Sequence, residues 1–495
     1  MTSEDEIGLS RRFASLSSYA DSTPKYELLP FRFIELEPNR ERYVLTNLVG
    51  EYVVATRPDL VRLIDMQLLP SEPLYHELSA KQIITEGSAK APIELLSLKE
   101  RTRFSRLPNF TSLHIFVVTL RCDYSCPYCQ VSRQTEDRDK YDMTESIAIK
   151  CLDFVFRSPS PSIKIEFQGG EPLLNFELIK FIVIRAEERN STEARDLEFV
   201  ITTNLSFLSD EILDFCLEHA IFISTSLDGP EDIHNRNRPR PGKNGYELTV
   251  AAIGRAQRVL GKQRVSALMT TTESSLDRVT DIVDEYVSHG FNGIFLRPLS
   301  PYGFAIKTRQ YDRYTTKKWL AFYRKGLDYI VDLNRRGTPI REFYASLLLR
   351  KLLTPHVPGY VDLQSPAGVG IAALVYNYDG DVYPSDEARM LVEMGDKTFR
   401  MGNVLTDSYE DVLTSDSLLD ALESTYIDSV PICDRCAFNP VCGSDPVFHH
   451  ATQGDMVGNK AISAFCERNM AVCRELIRRM EDDPYSKSLF ESWAW

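Results

Sequence analysis

The sequence predicts an α/β protein built on a parallel sheet with helices packed outside it. Two patterns carry that reading. Over residues 112–300, short strand-like runs alternate with runs of helical periodicity. The connections between them are short, which is the signature of repeated βα units. The chain of 495 residues is 43% hydrophobic and 26% charged, the balance of an ordinary globular protein.

The units follow in order. Residues 113–120 form the first strand, and 144–156 a helix with Thr144 as N-cap and Ser158-Pro159 as its stop. Strands at 162–168, 197–203, 221–227 and 265–271 alternate with helices at 175–189, 209–219, 245–260 and 276–289. Gly293-Ile-Phe-Leu-Arg closes the series. About six units suit a partial, open (β/α)6 barrel, although sequence alone leaves a doubly wound sheet open.

Before this core, residues 31–36, 42–47 and 51–55 read as strands and 58–66 as a short helix, a winged-helix-like unit. Residues 97–108 are polar and basic and read as a linker. Beyond the core, 310–355 reads as helical and 371–383 as a hairpin turning at Tyr378-Asp379-Gly380. The C-terminal part reads as loop-rich to Ser463, with a helix to about Arg479. The expected domains are a flexible terminus (1–25), the N-terminal module (26–105), the core barrel (106–310), a helical bridge (311–365) and a C-terminal extension (366–495).

Charge and targeting narrow the function classes. The 57 basic and 71 acidic residues give −14, which argues against nucleic acid as the main partner. No run approaches the ~18–20 apolar residues of a membrane span. The acidic start lacks a signal-peptide pattern, so the expected location is cytoplasmic. In a reducing compartment, clustered cysteines point to metal ligands rather than disulfides.

Cys122, Cys126 and Cys129 form C-x3-C-x2-C directly after the first strand. Three thiolates on one loop can hold three irons of a [4Fe–4S] cube and leave one iron open. A zinc knuckle or three unrelated thiols are the alternatives. The next strand ends in Gln168-Gly169-Gly170-Glu171-Pro172, where paired glycines permit close approach to the backbone. A second group, Cys433, Cys436, Cys442 and Cys466, supplies four thiols, enough for a complete cube or for tetrahedral zinc. Cys151 and Cys216 fall on apolar helix faces, Cys473 reads as a core thiol, and His449-His450 as loop surface.

On Cys122-Asp-Tyr-Ser-Cys126-Pro-Tyr-Cys129, Gly169-Gly-Glu-Pro172, Thr202-Thr-Asn204 and Ser226-Leu-Asp-Gly229, the chain resembles the radical S-adenosylmethionine (SAM) superfamily. The resemblance implies that the open iron chelates SAM. It also implies SAM contacts from Tyr128, Gly169, Gly170, Glu171, Asn204, Ser226 and Arg238, with Arg238 on the carboxylate and Asp228 shaping its loop.

The second cysteine group resembles the SPASM extension of peptide and protein maturases, which normally holds two auxiliary clusters. Here Ser385 and Pro446 stand where that pattern has cysteines, so the resemblance implies one auxiliary [4Fe–4S] cluster. Asp386, directly after Ser385, would be the proton acceptor. Leu29-Pro-Phe-Arg-Phe, Tyr376-Asn-Tyr-Asp-Gly and Cys442-Gly-Ser-Asp-Pro look like the B-type maturase of the His-Xaa-Ser peptide system. That likeness implies a ribosomal precursor peptide bound through its leader by the N-terminal module, and a crosslinking modification. It further implies a second radical SAM maturase and a low-potential electron donor such as flavodoxin or ferredoxin. A non-catalytic iron–sulfur scaffold and a sulfatase-activating type of oxidase are the alternatives.

Overall fold

The computed structural model describes residues 26–38, 41–87, 89–356 and 359–495. The expected flexible terminus, 1–25, lies outside the described residues. The chain divides into two units, Met1–Lys99 and Glu100–Trp495.

In the first unit, strands Phe31–Glu35, Arg42–Asn47 and Tyr52–Thr56 form an antiparallel meander. Helix Arg57–Ile64 follows at once. Thr56 caps it by accepting from the Asp59 amide, and Pro58 stands in its first turn, where a missing N–H costs nothing. Tyr26, Leu45, Val53, Leu63, Leu78 and Ile84 form the unit's core. The linker expected at 97–108 is a correction: residues Ala91–Phe104 are helical. No glycine interrupts them, Glu94 lies in the first turn and Arg101 and Arg103 in the last, so the charges oppose the helix dipole.

The second unit holds strands β1 (Leu113–Thr119), β2 (Ser162–Gly169), β3 (Asp196–Thr203), β4 (Phe222–Ser226) and β5 (Val265–Leu268). Each pairs in parallel with the next. Helices α1 (Glu145–Val155), α2 (Phe176–Glu193), α3 (Asp210–Glu218), α4 (Gly245–Leu260) and α5 (Val279–Ser288) follow the strands. Across β1 to β5 the strand order never reverses. Right-handed crossovers in one direction put the helices on one face, which curls the sheet toward a barrel, whereas a doubly wound sheet needs a switch point. Ile163, Ile165, Phe167, Phe199 and Ile201 are buried on one face. Glu166, Gln168, Thr202, Ser224 and Ser226 alternate with such residues and are half-buried on the other.

Two elements differ from expectation. The sixth strand is only Gly293–Ile294, and it pairs in parallel with Arg341–Glu342 instead of joining the sheet. The hairpin forms as β6 (Ala373–Tyr376) and β7 (Asp381–Tyr383), but β6 also pairs in parallel with β1. With β8 (Gly402–Asn403), the C-terminal segment thus extends the core sheet beyond β1. The C-terminal part is also more helical than expected, with helices Tyr409–Leu413, Asp416–Ser424, Pro446–Gln453, Ala464–Asp482 and Pro484–Ala494.

Glu342 fixes the chain where the sixth strand ends. It is fully buried and accepts from the Leu296 amide (3.1 Å), the Ala345 amide (2.6 Å) and the Tyr323 hydroxyl (2.7 Å). Glu342→Ala strands three buried donors and should cost about 3 kcal/mol or more, read as a lowered thermal midpoint of the full chain. An unchanged midpoint would remove Glu342 from this role.

Candidate active site

The C-terminal ends of β1 to β4 place most of the expected site residues on one rim. Cys122, Cys126 and Cys129 lie on the loop after β1, all partly exposed. That loop begins on a fixed base. The Arg121 guanidinium donates to both oxygens of Asp142 at 2.7 Å and to the Leu174 carbonyl at 2.9 Å. The glycine pair lies against this base. The Gly170 amide donates to Thr119 O (2.8 Å) and the Glu171 amide to Arg121 O (2.7 Å). A Cβ on Gly169 would stand 2.0 Å from Thr119 O, and one on Gly170 2.2 Å from Arg121 O. The close approach that the glycines allow is therefore first of all one of backbone to backbone.

Glu171 ties three rim segments together. Its fully buried carboxylate accepts from the Thr203 hydroxyl (2.6 Å), the Asn204 amide (2.8 Å) and the Leu173 amide (3.0 Å). Burial pushes its pKa up to about 7, and these hydrogen bonds oppose the rise. The Asn204 side chain donates to Asp123 Oδ1 at 3.1 Å and lies 3.9 Å from Cys122 Sγ. Ser206 also donates to Asp123, which pairs with Arg240 at 3.5 Å.

A second knot lies at Asp228, which is fully buried after β4. It accepts from the Tyr128 hydroxyl at 2.6 Å and the Thr270 amide at 3.2 Å, and pairs with Arg238 Nε at 3.1 Å. Arg238 also lies over the Tyr128 ring, 5.5 Å from its centroid. It sits close enough to Cys126 to counter the rise that burial imposes on that thiol, which still reaches about 12. Tyr128, Asp228 and Arg238 thus form one unit beside Cys126. Ser226, the last residue of β4, stands at the same strand ends.

The three thiols are electrostatic neighbours: Cys126 raises Cys122, and Cys129 raises Cys126. Three thiolates this close repel one another unless a cation neutralises them, so the donor set fits an iron–sulfur cluster. Cys433, Cys436, Cys442 and Cys466 form a second such set. Burial and the charges of the other three push Cys433 up to about 12, and burial with Cys442 and Cys436 pushes Cys466 up to about 11. Among the described residues, no group of three or more His, Cys, Asp or Glu side chains is arranged to hold a single metal ion.

Ser385 and Pro446, expected to stand in place of cysteines, have local tasks. Ser385 accepts from the Ala388 amide as N-cap of helix Asp386–Val392. Pro446 opens helix Pro446–Gln453, which Asp445 caps. Asp386 stands 3.7 Å from Arg389, and burial raises its pKa. His449 and His450 are not loop surface. They lie on helix Pro446–Gln453; His449 is fully buried against Asp445 O and the Ser463 hydroxyl, and His450 meets Asp396 at 2.6 Å. Cys151, Cys216 and Cys473 are fully buried, as expected. Sequence reasoning missed Asp123 and Arg240, because no spacing pattern joins them to Cys122.

Two substitutions test the rim. Gly170→Ala drives a methyl into backbone that cannot rotate away, so stability should fall by about 3 kcal/mol or more in thermal unfolding. For Glu171, the folded value of about 7 lies above the ordinary 4.5. The unfolded chain therefore gives up this proton first, and stability falls as pH rises from about 4.5 to about 7. The deficit of Glu171→Gln relative to wild type should shrink over that window; a constant deficit would show that Glu171 folds already ionised.

Comparison with known proteins gives a family match and a shared fold. Residues 116–286 match the model of the Radical SAM superfamily. An uncharacterised protein of Methanocaldococcus jannaschii is 30% identical over 191 residues, 38% of this chain, and the chain spans 62% of that relative's length. A cysteine-type anaerobic sulfatase-maturating enzyme of Clostridium perfringens is 23% identical over 347 residues, 67% of this chain and 87% of the relative. Two solved structures share the fold. Native anSMEcpe with bound AdoMet has a TM-score of 0.60 at 16% identity, covering 77% of this chain and all of that one. The same enzyme with AdoMet and the Cp18Cys peptide has a TM-score of 0.60 at 16% identity, covering 77% of this chain and 99% of that one. Residues 116–286 thus match the radical SAM family model, and the chain shares its fold with those two structures.

Proposed function

We propose that this chain uses SAM and a [4Fe–4S] cluster on Cys122, Cys126 and Cys129 to modify a ribosomally made peptide. One observation carries the reading: three thiols share the strand-end rim with Tyr128, Glu171, Asn204, Ser226 and Arg238. When bound, the cluster supplies an electron that cleaves the SAM sulfonium and yields a 5′-deoxyadenosyl radical, which takes hydrogen from the peptide. The chain's own residues hold and orient. The amides of Gly170 and Glu171 are engaged with the cysteine loop, so the carbonyls of Gly169–Glu171 are the groups suited to an ammonium. In this reading Asn204 and Ser226 take the ribose and methionine portions of SAM, Tyr128 packs beside the adenine, and Arg238 pairs with the carboxylate.

Asp386 is the proton acceptor in this reading. Burial favours its protonated form, and Arg389 and Arg297 counter that preference. Cys433, Cys436, Cys442 and Cys466 would hold a single auxiliary cluster, since Ser385 and Pro446 act as helix-start residues. The N-terminal unit would take the leader as an added strand. Its strand Phe31–Glu35 lies at an end of its sheet, with Phe33 47% exposed. The His-Xaa-Ser peptide, the crosslink, the partner maturase and a flavodoxin or ferredoxin donor belong to the same proposal. The Clostridium perfringens relative favours a second reading, oxidation of a protein side chain to an aldehyde.

Anaerobically reconstituted full-length protein should form 5′-deoxyadenosine, and Cys126→Ala should abolish it while the second cluster remains. Cys436→Ala should lower the iron content by about four atoms per chain. No deoxyadenosine from wild type would leave the scaffold reading. Mass analysis of the co-expressed peptide then separates a two-hydrogen loss with a crosslink from an aldehyde.

A further inference from the structure

A pocket near the second cysteine group has walls drawn from several distant parts of the chain. Arg297 and Tyr302 follow the sixth strand, Asp362 lies on the turn Val361–Leu363, and Glu387 is next to Asp386. Asp445 and Arg468 belong to the extension, close in sequence to Cys442 and Cys466. Tyr344, also in the wall, donates to Asn469, whose amide lies 3.6 Å from Cys442 Sγ. The cavity is small, about 30 Å³, room for the tip of a side chain.

Its charge is unbalanced. Asp362, Glu387 and Asp445 face Arg297 and Arg468, so the fully ionised wall carries one excess negative charge. Neighbouring cations are engaged elsewhere. Arg389 pairs with Asp386, and Lys460, which also reaches Asp445, faces Cys433, Cys442 and Cys466. A net charge left in a buried wall is costly unless a proton or a bound cation neutralises it. Burial and mutual repulsion raise Asp362, Glu387 and Asp445 each to about 7.

A second observation points to a ligand. Tyr302 is 1% exposed, and its hydroxyl reaches no hydrogen-bond partner. That hydroxyl lies within electrostatic reach of Asp445, Glu387 and Asp362. Arg468 Nε is likewise buried without a partner. Buried polar groups are nearly always satisfied, so an orphan hydroxyl among three carboxylates marks a place for an N–H donor. The aromatic walls, Phe295 stacked on Tyr344 at 5.7 Å and Tyr360 edge-on at 6.4 Å, suit a flat cation.

We propose that this pocket is a specificity site that holds one positively charged side chain of the peptide, with Glu387 and Asp362 as its counter-charges and Tyr302 as its hydrogen-bond acceptor. The proposal rests on the peptide-modifying reading and deepens it: a charge fixed beside Asp386 sets which residue of the peptide faces the rim.

Calorimetry on the full-length, reconstituted protein tests it, with N-acetyl-L-arginine methylamide as the cation and N-acetyl-L-citrulline methylamide as its neutral isostere. The arginine probe should bind and the citrulline probe should bind about tenfold more weakly or not at all. Glu387→Gln should weaken the arginine probe about tenfold, and Tyr302→Phe should weaken it with the charge intact. Equal binding of the two probes, no binding of either, or unchanged affinity in both variants would overturn the site. Formation of 5′-deoxyadenosine by the same samples reports separately on the radical SAM reading. Wild type that forms 5′-deoxyadenosine but binds neither probe overturns the pocket alone, whereas wild type that binds the arginine probe but forms none overturns the enzyme reading alone.

Discussion

The rim depends on the contact between two backbone stretches that only glycine permits. Gly169 and Gly170 bring the end of β2 against Thr119 and Arg121, at the root of the cysteine loop. Glu171 then emerges between β1 and β3 and binds Thr203 and Asn204. Asn204 reaches onward to Asp123 and Cys122. Position passes from a backbone contact to a carboxylate, from that to an amide, and from the amide to a thiol. A side chain at either glycine would lift the β2 end away, and each later link would lose its partner.

Buried charge organises the rest of the interior. Asp228 gathers Tyr128, Arg238 and Thr270 beside Cys126, and Glu342 gathers Leu296, Ala345 and Tyr323 at the end of the sixth strand. Both are fully buried and bound by several donors, which offsets the loss of water. The carboxylates around Tyr302 differ: each lies within electrostatic reach of another carboxylate as well as of Arg297 or Arg468. A fold that tolerates such a wall near Asp386 places clustered carboxylates next to the proposed chemistry.

Much of the core was legible because its signals are local. The parallel strands follow from alternating hydrophobicity, and helix starts such as Thr144 and Ser209 follow from hydroxyl caps. The cysteine and Gly-Gly-Glu stretches were legible because their chemistry needs near neighbours. The misses were non-local. The helix over Ala91–Phe104 was hidden by its low amphipathicity, with Leu96 its one buried residue. His449 looked like loop surface because burial against Ser463 depends on a distant segment. The pairing of β6 with β1 joins strands about 260 residues apart, and nothing in either strand names its partner.

The sequence by itself determined the alternation of elements, the two thiol groups and the glycines at the end of β2, because each is a matter of spacing along the chain. Tertiary structure alone decided that the sheet curls in one direction, that Asp228 binds both Tyr128 and Arg238, and that Tyr302 faces carboxylates drawn from three separate segments. Those features depend on desolvation and on which surfaces meet, and burial is a property of the folded molecule as a whole.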